Sequence, residues 1–253
     1  MTLRFPFLTA HWTNLFLASY AVPPSLLAGR LPPGLELDTR DGRAFVSLVA
    51  FDFVHTRVLG VPWPGYRNFA ELNLRCYVRH GADRGVLFLR ELVPLRLVAW
   101  LARLIYNEPY RVAPLHSSVR EGPDSLVLEH RMRWAGRTHV IEAVGRKPRQ
   151  RPADTSLDHF FKEQRWGYGV TRRGRAVRYE VVHPVWEVYP VESYRIDLDW
   201  GLVYGPEWDF LTGTPPCSTL LVAGSPVRVY PKSRLAVAAA RPAAVVPAPV
   251  SVS

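Results

Sequence analysis

The stretch Ala44-Phe-Val-Ser-Leu-Val-Ala-Phe-Asp-Phe53 constrains the fold more than any other. It is apolar at odd and even positions alike, so as a strand it must be covered on both faces. A closed barrel, or a sheet lying beneath a helix, provides such cover. Arg40-Asp-Gly-Arg43 places an Asp-Gly turn just before it, which predicts a hairpin with residues 35–39.

Further strands are predicted at 69–79 and 85–93, and a meander at 112–119, 125–134 and 138–145. A hairpin follows at 165–170 and 176–182, with two or three more strands between 192 and 230. Helices are predicted at 22–30, ending before Pro32-Pro-Gly34, and at 94–106. A third, ending at 164, opens on a capping box at Thr155-Ser-Leu-Asp158. Residues 58–68 and 146–153 read as loops. The expectation is one α+β domain over 1–235, mainly antiparallel β, curled toward a barrel with a few peripheral helices. Residues 236–253, all but one of them Ala, Val, Pro or Ser, read as a flexible tail.

The net charge of +10 points at first to a polyanion partner. Thirteen basic and four acidic residues fall between Arg131 and Arg178, so the excess is regional. That segment could serve as an interaction module for an acidic partner or nucleic acid. Trp134, Phe160, Phe161, Trp166 and Tyr168 interleave with its arginines, but it carries no nucleic-acid-binding signature, so nucleic acid is the less favoured partner.

Other classes find no support. Cys76 and Cys217 have no CxxC spacing and read as reduced, half-buried thiols in a cytoplasmic protein. Eight scattered histidines make no metal motif, although His130 and His139 could approach across a hairpin. No phosphate loop or nucleophile elbow occurs, and no cofactor is implied. Residues 5–21 are too interrupted for a secretory signal, and no apolar run is long enough to span a membrane.

In Phe69-Ala-Glu-Leu-Asn-Leu-Arg-Cys-Tyr-Val78, strict alternation puts Glu71, Asn73, Arg75 and Tyr77 on one face. That face either meets water or lines a barrel interior. Arg103, among Leu97, Val98, Trp100, Leu101 and Leu104, either snorkels to the surface or enters a cavity. The three lysines, Lys147, Lys162 and Lys232, read as loop or surface positions.

The run from Leu31-Pro-Pro-Gly through Ala-Phe-Val-Ser-Leu-Val-Ala-Phe51 resembles the YqjF-like family, a domain of unknown function. So do the strand 69–78, Leu157-Asp-His-Phe160 and His183-Pro-Val-Trp186, while Trp12 with Leu15-Phe-Leu17 fits that family's opening. The family is similar to the acetoacetate decarboxylase-like superfamily. The resemblance implies a β-barrel or cone around a small-molecule cavity, with helices outside. In the decarboxylases a Gly-Arg-Glu…Gly-x-Pro-Lys-Lys stretch supplies a Schiff-base lysine beside a second lysine. Here Arg103 and Pro109 match that motif's Arg and Pro, while Leu104 and Asn107 replace its Glu and Gly. Tyr110 falls at the Schiff-base lysine, Arg111 at its neighbour, and Glu71 at an inner-strand glutamate.

Neither a phenol nor a guanidinium forms an imine with a ketone in practice. The resemblance therefore implies a cavity for a small carboxylate, a keto acid or an enolisable carbonyl compound without Schiff-base chemistry, either a binder or an acid/base enzyme. Its ligand set would be Glu71, Asn73, Arg75, Arg103, Tyr110 and Arg111, with Glu71 and Tyr110 the catalytic candidates and no metal. The chain leaves room for a homo-oligomer.

Overall fold

The computed structural model describes residues 4–105 and 107–235; the tail expected at 236–253 lies outside the described residues. The chain begins with β1 (Leu8–Val22), α1 (Pro24–Ala28), β2 (Glu36–Leu37) and β3 (Ala44–Val58). Next come β4 (Phe69–His80), β5 (Asp83–Val93), α2 (Arg96–Ile105) and β6 (Tyr110–Val112). The meander is β7 (Leu115–Glu121), β8 (Ser125–Trp134) and β9 (Arg137–Arg146), followed by α3 (Leu157–Lys162). Then follow β10 (Trp166–Val170), β11 (Ala176–Val182), β12 (Val188–Tyr189) and β13 (Val191–Asp197). The described chain ends with α4 (Trp200–Tyr204), a 3-10 helix (Pro206–Leu211), β14 (Ser218–Val222), β15 (Ser225–Val229) and β16 (Ser233–Arg234).

Seven strands close a barrel in the order β1, β15, β11, β10, β5, β4, β3 and back to β1. Most pairings are antiparallel, but β10 and β6 join β5 in parallel. β7, β8, β9 and β13 form a second sheet.

Two-sided burial follows from this layering. On β3, Ala44, Val46, Leu48 and Ala50 pack in an outer core shared with Leu128, Ile141 and Trp200. The alternate residues Phe45, Val49, Phe51 and Phe53 pack inside the barrel. Each fully buried Val, Leu or Phe contributes about 1.5–3 kcal/mol, so a strand covered on one face only would lose half of this gain.

Several expectations change. Residues 8–22 form the long strand β1, whose apolar residues serve both cores. Residues 200–211 are helical and fill the outer core with Trp200 and Trp208. The α3 cap is Ser156, which accepts from the His159 amide, rather than Thr155. Cys76 is buried and Cys217 exposed, both free, so neither is half-buried. His130 and His139 find separate partners, the Asn14 carbonyl and the Asp199 amide.

The Arg-rich segment is largely neutralised in space. Nine of its thirteen cations have carboxylate partners, several from outside the segment, such as Arg137 with Asp199 and Arg165 with Glu180.

Candidate functional site

α3 plugs one end of the barrel. Phe160 and Phe161 pack against Phe45 and Tyr77. The Phe161 carbonyl accepts from Arg75 Nη2 at 3.0 Å and from the Tyr77 hydroxyl at 3.3 Å. Ser19, Ser47 and Tyr77 continue this as a buried hydroxyl chain, with O···O distances of 2.6 and 2.5 Å. Against this plug lies a cavity of about 560 Å³. Its walls are mostly apolar, with Trp12, Phe51, Phe53, Phe69, Phe88 and Trp186 among them.

The polar face of β4 turns into the barrel. Glu71, Asn73 and Arg75 are buried and line the cavity. Tyr77 is buried deeper, in the plug. Leu72, Leu74, Cys76 and Val78 face the outer core. Tyr110 also lines the cavity and donates its hydroxyl to Glu71 Oε2 at 3.0 Å, while Asn73 Nδ2 donates to Glu71 Oε1 at 3.0 Å.

Two arginines expected in the ligand set do not line the cavity. Arg103 is exposed on α2, because Leu97, Val98, Leu101 and Ala102 form the helix face that lines the cavity. Arg111 is exposed because alternation along β6 turns it away from the lumen when Tyr110 faces in.

The structure adds Glu91, Glu108, Lys162, Gln164 and His183 to the lining. Val86 and Phe88 of β5 face inward, so strict alternation would turn Arg90 in. A register shift between Leu74 and Arg75 inserts one residue into β5, and Glu91 faces inward opposite Asn73 instead. Glu108 follows Asn107, whose φ of 56° is left-handed and whose Nδ2 donates to the Val170 carbonyl at 2.7 Å. Glu108 also interacts with the Tyr179 hydroxyl. Tyr179 lies across Gly167 of the neighbouring strand, where a Cβ would come within 2.2 Å of its ring.

Lys162 is the clearest correction. Its side chain is wholly buried, with Nζ 2.6 Å from Glu163 Oε1. The last turn of a helix inserted into a barrel end is interior, although the sequence reads Lys162 as a loop or surface position.

Burial sets the electrostatics. It pushes Glu71 up to about 7, against the opposing pull of the Asn73 and Tyr110 hydrogen bonds and Arg75. It pushes Glu108 up to about 8, with help from the nearby Glu71. Burial, then Glu108 and Glu71, hold Glu91 well above the usual carboxylate range. Tyr110 rises by burial and by the nearby Glu71 and Glu91, so it stays a hydrogen-bond donor. The site therefore presents neutral carboxyls that can donate to a carbonyl oxygen, and Glu71 balanced between acid and base near neutral pH. Asn73 Oδ1, Arg75 Nε, Glu91 Oε2, Glu108 Oε1 and Gln164 Oε1 are buried without a partner in the protein. The described residues contain no His, Cys, Asp and Glu cluster suited to a metal ion.

The closed barrel is the fold of acetoacetate decarboxylase-like proteins. An acetoacetate decarboxylase-like enzyme from Sphingomonas wittichii RW1 superposes with TM-score 0.64 at 12% identity, covering 91% of this chain and 94% of that one. The enduracididine biosynthesis enzyme MppR complexed with pyruvate superposes with TM-score 0.62 at 13% identity, over 92% and 91% of the two chains. Acetoacetate decarboxylase from Legionella pneumophila gives 0.58 at 13%, over 92% and 88%. Within this architecture the chain belongs to the DUF2071 family, described as an uncharacterized conserved protein, whose model matches residues 9–226. It is 28% identical over 183 residues to the uncharacterized protein YqjF of Bacillus subtilis strain 168, covering 72% of this chain and 75% of that protein. No helix is long and apolar enough to cross a membrane among the described residues.

Proposed function

We propose that the barrel takes a small carboxylate or keto acid with an apolar body, and handles it by non-covalent acid/base chemistry. The observation that carries this reading is the hydrogen-bonded group Tyr110–Glu71–Asn73 at an aromatic-walled cavity. A carbonyl oxygen would accept from a neutral carboxyl of Glu91 or Glu108, and Glu71 would exchange a proton at the adjacent carbon. Arg75 and Lys162 are the buried cations available to a carboxylate. The complex of MppR with pyruvate supports the ligand class by analogy of fold. Imine chemistry is disfavoured because Tyr110 occupies the position that the resemblance gives to the Schiff-base lysine.

The test is calorimetry against a panel of 2-keto acids with side chains of increasing size, alongside proton exchange of each ligand in deuterated water. Binding that strengthens with apolar size, and exchange lost in Glu71→Gln, are expected. Binding without exchange would reduce the reading to a binder. No binding by any member would overturn it.

A further inference from the structure

The cavity opens between the loop joining β3 to β4 and helix α2. Leu59, Trp63 and Tyr66 of the loop line it, as do Leu97, Val98 and Leu101 of α2. Leu59 is nevertheless 71% exposed and Trp63 55% exposed. Residues that both line a cavity and meet solvent mark its opening. Beside them Val61, Trp100 and Leu104 are also exposed, Trp100 at 57%. Such a cluster of large apolar side chains on a water-facing surface marks an interaction site.

The loop and the helix that form this rim carry charge of one sign. Residues 54–68 contain Arg57 and Arg67, residues 94–107 contain Arg96 and Arg103, and neither segment contains an Asp or Glu. All four arginines are exposed, and none has an ion-pair partner among the described residues. The Arg-rich segment at 131–178 is mostly paired, whereas these four cations have no ion-pair partner among the described residues.

We propose that the mouth docks on an anionic lipid surface, with Trp63, Trp100, Leu59 and Leu104 entering the interface and the four arginines meeting headgroups. The mixture of exposed Trp and Leu with unpaired Arg is the chemistry of an interfacial membrane contact. A second copy of the chain is the poorer occupant. A two-fold contact through this face would set arginine against arginine, with no carboxylate from either segment to separate them. A docked mouth gives ligands dissolved in the bilayer a dry route into the apolar cavity. The proposal does not depend on the acid/base reading of the interior.

The experiment is flotation of the full chain with phosphatidylcholine vesicles and with equimolar phosphatidylcholine–phosphatidylglycerol vesicles. The protein should float with the anionic vesicles at low salt and be released at high salt. Arg57→Gln with Arg96→Gln should weaken binding by roughly thirtyfold. Trp63→Ala with Trp100→Ala should weaken it by at least about tenfold. Both double variants alter exposed side chains, so unchanged thermal melts would show that each is folded. Absence of flotation at low salt, or flotation indifferent to both variants, would overturn the proposal. So would a wild-type dimer in sedimentation velocity that the Trp variant abolishes, which would make a second copy the occupant.

Discussion

The Tyr110 hydroxyl donates to Glu71 Oε2 at 3.0 Å, joining the strand after α2 to the polar face of β4. The bond favours the ionised form of Glu71, opposing the burial that lifts this carboxyl to about 7. Tyr110→Phe should therefore raise the Glu71 midpoint further, by about one pH unit. Carboxyl-carbon NMR across a pH titration reads this directly, and an unmoved midpoint would show that the bond is not made in solution.

Buried carboxyls give stability an unusual pH dependence. Glu71 and Glu108 titrate higher in the fold than in the unfolded chain. Between about pH 4.5 and 8 the fold holds protons that the unfolded chain has released, so this contribution is lost as pH rises. A midpoint displaced by one pH unit between the two states corresponds to about 1.4 kcal/mol. Burial lowers His130, His139 and His183, which act in the opposite sense, so the readout is a difference. Glu108→Gln should gain on the wild type from pH 5 to pH 9, by a few kcal/mol in urea melts. A difference that does not change with pH would place Glu108 in solvent.

Pyruvate with borohydride should add no mass to the intact protein. Tyr110 cannot form an imine, and Lys162, which lines the cavity, is in an ion pair with Glu163. A stable adduct mapped to Lys162 by peptide mass spectrometry would replace the acid/base reading with amine chemistry.

Arg75 and Arg111 should separate cleanly in binding assays. Arg75→Ala removes a buried cation at the cavity, and about tenfold or more of the affinity for a keto acid should go with it. Arg111 is exposed outside the lumen, and Arg111→Ala should leave that affinity unchanged. Equal losses in calorimetry would mean that β6 turns the other way.

The α3 plug should dominate local stability. Phe161 is fully buried against Phe45, Tyr77 and Phe160, so Phe161→Ala should cost about 3–5 kcal/mol in denaturant melts. A loss under about 1 kcal/mol would indicate that α3 is not seated in the barrel end.

Some of this was readable from residue order alone. Period-two alternation at 69–78 placed Glu71, Asn73, Arg75 and Tyr77 on one face, and the doubly apolar run at 44–53 demanded cover on both sides. Those are nearest-neighbour consequences of strand geometry, and the barrel honours them. Which side of β4 was the lumen did not follow from alternation, because both faces of a barrel strand are covered. The resemblance to a cavity-bearing family was what favoured the inward reading.

Tertiary structure decided the rest. Glu91 faces inward only because an extra residue in β5 shifts its phase against β4, and Glu108 follows a left-handed turn at Asn107. Lys162 is buried because α3 enters the barrel end, and the Arg-rich segment is paired by carboxylates as distant as Asp83 and Asp199. Local sequence sets the period of a strand and the polarity of its faces. Bulges, helix insertion and ion pairs between distant segments depend on how the barrel closes, and only the closed barrel brings those residues together.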